Sequence, residues 1–125
     1  MTREFDDAVE ACMTGNAAVV RKWISVGNDV NSVDEYGRTL IFYVLSAGSS
    51  EILQDLIAAG AQVDFQDSYG NTPLGRAVFE SRGSKDVIDI LLQAGANPDV
   101  TNKSGVSPRM LAATISNFDL TGIFD

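Results

Sequence analysis

Residues 67–96 read DSYGNTPLGRAVFESRGSKDVIDILLQAGA, and this stretch decides the fold. Gly70 permits a tight reversal, after which Thr72 offers a hydroxyl to the free N–H groups of a starting helix. Pro73 follows at the first helical position, where its missing N–H is no loss. A loop then leads to a second helix, Val87 to Gln93, which Gly95 stops because a left-handed cap is cheap only without a Cβ. The preceding residues 34–61, DEYGRTLIFYVLSAGSSEILQDLIAAGA, are built to the same plan, with Thr39 and Leu40 at the first helix start.

The likeness extends along the chain. Gly27, Gly60 and Gly95 recur at spacings of 33 and 35 residues, and Gly37, Gly70 and Gly105 repeat both spacings. A fixed period of this size marks an array of stacked units. The two additional residues of the third unit fall between its helices, where ESRGSK at 80–85 replaces AGSS at 47–50. We divide the chain into copies at 1–33, 34–66, 67–101 and 102–125, together one domain over 1–125. The first copy lacks a turn and opens on a helix around Phe5 to Thr14. The last closes in a shortened second helix bearing Phe118, Leu120, Ile123 and Phe124.

Second helices carry apolar residues at helical spacing: Val19, Val20, Trp23 and Ile24, then Ile52, Leu53, Leu56 and Ile57, then Val87, Ile88, Leu91 and Leu92. Lys22, Asp55 and Asp89 fall between them and should face water. Trp23 sits at a core spacing and is expected to be structural. First helices are richer in small residues such as Ala8, Ala11, Cys12, Ala77 and Ala112, which let neighbouring copies approach. One helix pair cannot bury its own apolar face, but a stack can.

These residues resemble the ankyrin repeat. The family's D-x-x-G-x-T-P-L-H-x-A-A core is matched by DSYGNTPLGRAV from Asp67 and DEYGRTLIFYVL from Asp34, and NKSGVSPRMLAA from Asn102 is similar to its usual closing copy. Its V-x-x-L-L-x-x-G-A-x-x-N ending is visible as VRKWISVGNDVN, LQDLIAAGAQVD and IDILLQAGANPD. The resemblance implies an all-α repeat, a solenoid of stacked helix-turn-helix units with short hairpin-like tips. Where the family carries His, this chain has Phe42, Gly75 and Met110, and it contains no His at all. That His normally joins neighbouring copies, so the junctions here are expected to lean more on apolar packing. Gly75 reads as a weak helix position, about 1 kcal/mol poorer than Ala.

Composition excludes several functions. Seventeen acidic residues against nine basic ones give a net charge of -8. Such a surface repels nucleic acid and anionic membranes, which need clustered Lys and Arg, and attracts a basic partner. Apolar runs stop short of the roughly 20 residues that span a bilayer. Met1 to Asp7 shows no basic segment leading into a hydrophobic one, so a cytoplasmic location is expected. The single Cys12 cannot form an internal disulfide and reads as a buried structural thiol.

Catalytic chemistry finds no foothold. Without His, no Ser-His or Cys-His nucleophile and no His-bearing metal site can form, and one cysteine cannot make a four-thiolate zinc site. GNTPLGRA at 70–77 has the glycine spacing of a phosphate loop but puts Arg76-Ala77 where Lys and Ser/Thr are needed. Paired carboxylates such as Asp6/Asp7 and Asp86/Asp89 fit solvated faces and helix starts. Asn102-Lys103-Ser104 matches a glycosylation acceptor only formally. The expectation is a non-enzymatic binder without cofactor or metal, monomeric when free.

By resemblance, such arrays hold protein partners on the concave side formed by tips and first helices. The residues placed there are Glu35, Tyr36 and Arg38, then Ser68, Tyr69 and Asn71, then Lys103 and Ser104, with Phe79 and Glu80 from a first helix. Tyr36 and Tyr69 hold equivalent places before the turn glycines. They serve either as amphipathic anchors or as rings packed on the next tip. Small acidic ankyrin proteins resemble bacterial immunity proteins that occlude a toxin. A regulatory or scaffolding adaptor is the alternative. More remote are a small-molecule-responsive or enzymatic protein using surface carboxylates, and self-association through Phe118 to Phe124.

Overall fold

Seven helices appear in a computed structural model that describes residues 3–80 and 85–114. They are α1 (Arg3–Thr14), α2 (Ala17–Ser25), α3 (Leu40–Ala47), α4 (Ser50–Ala58), α5 (Pro73–Glu80), α6 (Asp86–Gln93) and α7 (Pro108–Thr114). Helices α1, α3, α5 and α7 pack in that order as one layer, and α2, α4 and α6 as a second. Each odd helix through α5 also packs on the even helix after it, so the core lies between the layers. Among the described residues every regular element is helical, as expected for an all-α repeat solenoid.

Local chemistry sets the boundaries. Gly27, Gly60 and Gly95 follow the ends of α2, α4 and α6 with φ of 92°, 100° and 96°, left-handed values that only Gly adopts cheaply. Asn16 and Ser49 cap the starts of α2 and α4, accepting from the amides of Val19 and Ile52. Thr72 and Ser107 cap α5 and α7 by accepting from Gly75 and Met110. Thr39 departs from this pattern. The Phe42 N–H donates to the Thr39 backbone carbonyl at 3.1 Å, which leaves the buried Thr39 hydroxyl without a partner.

The apolar stripe is buried as its spacing predicts, with Val20, Ile52, Leu53, Leu56, Ile88 and Leu91 at 0% exposure. Ile24, Ile57 and Leu92 at its edge are half-buried, and Val19 is exposed at 38%. Its equivalents, Ile52 and Val87, lie on helices that have a second-layer helix before them, whereas in that layer α2 packs only against α4. Trp23 is buried and meets the edge of Phe5 in a T-shaped contact, ring centres 6.0 Å apart. Burial pushes the Cys12 thiol up to about 12, so it stays protonated and unreactive near neutrality.

Junctions between copies are more polar than the missing His suggests. Asn31 donates to the Gly60 carbonyl at 3.1 Å and accepts from the Gln62 amide at 2.9 Å. One copy later Asp64 accepts from the Asn97 amide at 2.9 Å. Side chains in the interhelical loops therefore clamp the next copy's backbone, the work expected to fall on apolar packing. The lengthened loop's residues 81–84, Ile115 and the apolar Phe118 to Phe124 segment lie outside the described residues.

Candidate functional site

The tips begin with one acceptor repeated three times. A side-chain oxygen of Asp34 accepts from the amides of Tyr36 and Arg38, at 2.9 and 3.0 Å. Asp67 does the same for Tyr69 and Asn71, and Asn102 for Ser104 and Val106. Each acceptor thereby folds its own tip around a glycine of positive φ. Gly70 has a further reason to be glycine, since a Cβ there would stand 2.9 Å from the Lys103 backbone nitrogen. That closeness follows from stitching between tips: the Ser68 N–H donates to the Tyr36 carbonyl at 2.8 Å, and the Lys103 N–H to the Tyr69 carbonyl at 3.0 Å.

The second polar atom of each acceptor is met differently. The Tyr43 hydroxyl donates to Asp34. Arg38 reaches the Asp67 carboxylate at 3.2 Å, where the Asp67 side chain is 1% exposed. Asn102 donates its amide to the Asn71 side-chain oxygen at 2.9 Å. Junction two–three is thus held by an ion pair and junction three–four by an amide pair.

With the backbone holding the tips, the rings are released from that task. Tyr36 and Tyr69 are 46% and 57% exposed, and the Arg38 guanidinium lies over the Tyr36 ring at 5.6 Å. Glu35, Ser68, Lys103 and Ser104 are exposed beside them. Arg38 and Asn71 are half-buried and already engaged across the junctions, so they support the surface more than they offer it. Phe79 turns outward at 66% exposure. Arg76 lies over its ring at 5.9 Å and pairs with the half-buried Glu80 at 2.9 Å.

Sequence reasoning missed the space beneath Phe79. A pocket of about 320 Å³ lies between α5 and α7, with Gly75 in its wall. Phe42, the equivalent of Gly75 one copy earlier, is buried at 3% exposure. The signal was present: a glycine stands inside a helix where its counterparts are Phe42 and Met110.

On the outer layer, Arg21 joins α2 to α4 through Glu51 and Asp55, and those carboxylates raise its pKa. Arg109 holds Asp99 at 2.8 Å, and its hydrogen bond lowers the Asp99 pKa. Both pairs are solvent-exposed and contribute little stability. No helix among the described residues is long and apolar enough to cross a membrane.

Comparison with known proteins agrees with this architecture. The sequence model of the family described as ankyrin repeats (3 copies) matches residues 8–102. The human transient receptor potential cation channel subfamily A member 1 is 37% identical over 60 residues, 48% of this chain and 5% of that protein. The mouse RelA-associated inhibitor is 36% identical over 66 residues, 53% of this chain and 8% of its own length. Human scaffold protein ILK is 33% identical over 68 residues, 54% of this chain and 15% of its own. The chain therefore spans only a small part of each of these relatives.

Proposed function

The chain belongs to the ankyrin repeat family, whose repeats mediate protein–protein interaction, and on that premise we propose that it holds a basic protein partner on the flank of tips and first helices. The observation that carries this is the exposure of the Tyr36 and Tyr69 rings on tips whose backbones are fixed without them. Rigid aromatic rings presented by a preorganised backbone contribute large contact area at low entropic cost. The net charge of -8 favours a cationic surface opposite.

The role is occlusion of the partner or its assembly into a larger complex. Occlusion, as by an immunity protein, accords with the charge, and one relative is named as an inhibitor, the RelA-associated inhibitor. Assembly has its counterpart in the name of scaffold protein ILK. A small-molecule or catalytic role finds less support: the polar groups of the α5–α7 pocket largely satisfy one another, and Arg76 is the titratable group in its wall.

The test is a double variant, Tyr36→Ala with Tyr69→Ala, against the partner captured from the source cells by the wild-type chain. We expect affinity to fall at least tenfold, as for interface hot spots, while the thermal midpoint changes little. A large fall in midpoint with unchanged affinity would assign the rings to the fold instead. The partner's identity separates the roles: a toxin would indicate occlusion, and a kinase, transcription factor or channel would indicate regulation.

A further inference from the structure

We propose that the notch beside Gly75 receives one apolar side chain, of leucine or phenylalanine size, carried by an exposed segment of the basic partner. The inference rests on the binding role above and names the anchor it uses.

The notch is not required by the backbone. Gly75 has no positive φ, and a Cβ there would meet nothing closer than 3.7 Å, from Pro108 Cγ and Thr72 Oγ1. Alanine would fit and would favour the helix, so the missing side chain has no local structural cause. Its effect is to leave open the space that Phe79, Val106, Pro108 and Leu111 help to line.

Most polar atoms in that wall are already committed. Thr72 Oγ1 accepts from Gly75, Ser107 Oγ accepts from Met110, and the Asn71 side-chain oxygen accepts from Asn102. Arg76 is held by Glu80. An occupant thus gains mainly by shedding apolar surface. Among the described residues the Asn71 side-chain NH₂ meets no acceptor, which leaves one donor for a carbonyl on the entering backbone.

Charge tells what kind of chain carries the anchor. Near the notch Arg76 and Arg109 are neutralised by Glu80 and Asp99. Glu35 on the first tip is exposed, and no ion pair engages it among the described residues. With a net charge of -8 on the chain, the partner segment is cationic overall, with an apolar residue at the notch itself.

The full chain, labelled with ¹⁵N, is titrated with the methylamides of N-acetyl-leucine, N-acetyl-phenylalanine and N-acetyl-alanine. The leucine and phenylalanine probes should shift the amides of Gly75, Val106 and Leu111 at millimolar concentration, with alanine roughly tenfold weaker. Gly75→Leu should lose the response without a fall in thermal midpoint, while Gly75→Ala shows how much of any rise arises from the helix alone. An equal response to alanine, or one that survives Gly75→Leu, overturns the proposal. So does a midpoint lowered by Gly75→Leu but not by Gly75→Ala, since the chain's own residues would then fill the notch. Self-association abolished by Gly75→Leu would give the site to a second copy. These uncharged probes do not depend on Tyr36 or Tyr69, so their failure leaves the binding flank itself untouched.

Discussion

Two junctions in this array answer the same packing problem in opposite ways. In copy two, Phe42 is buried at 3% exposure, and across the junction to copy three Arg38 reaches a carboxylate that is 1% exposed. Between copies three and four, the equivalent of Phe42 is Gly75 beside a pocket of about 320 Å³, and the ion pair is replaced by Asn71 and Asn102. The backbone stitching between tips is the same at both. Neighbouring copies can thus share a register while one junction is filled for stability and the other kept open.

The largest expected effect comes from emptying the filled junction. Phe42→Ala should lose about 3–5 kcal/mol, the range for deleting a buried aromatic ring, read from urea unfolding. A loss below about 1 kcal/mol would show that Phe42 does not bear on stability. Next is the ion pair. Asp67→Asn alone strands the Arg38 guanidinium and should cost about 1–3 kcal/mol, reduced because Arg38 is partly in solvent. Adding Arg38→Asn recreates the amide pair of the following junction and should recover most of that loss. No recovery would mean that the two junctions differ in more than these side chains.

Two smaller effects sharpen the contrast. Thr39→Val removes a buried hydroxyl that lacks a partner and should be neutral or stabilising by about 1 kcal/mol. Thr72→Val deletes the cap on Gly75 and should cost about 1 kcal/mol. Thermal melts should hold or rise for Thr39→Val and fall for Thr72→Val; a comparable fall in both would refute the difference in capping. Gly75→Ala should stabilise by about 0.5–1 kcal/mol through helix propensity.

What the sequence makes legible here is what repeats. The glycine ladders, the caps and the buried stripe of α2, α4 and α6 depend on residues within one copy, and a period of 33 exposes them. What varies between copies was hidden. Asp34, Asp67 and Asn102 fold their tips alike, yet their second polar atoms meet Tyr43 within the same copy and Arg38 and Asn71 from the preceding one, the last two fixed only once copies are stacked. Thr39 matches Thr72 in sequence but not in capping, because its carbonyl takes the amide its hydroxyl was expected to hold. The candidate surface was half visible for the same reason. Tyr36 and Tyr69 repeat and drew notice, whereas Gly75 matters by being unlike Phe42 and lies against α7, a neighbour the linear chain does not show.

The most direct test exchanges the two residues and compares urea midpoints. Gly75→Phe installs beside the open pocket the residue that is buried at the equivalent position one copy earlier, and its stability should stay within about 1 kcal/mol of wild type, while Phe42→Gly should fall by about 4–6 kcal/mol. Equal losses from both substitutions would show that the notch is a packing requirement like its neighbour, and that the two junctions do the same work.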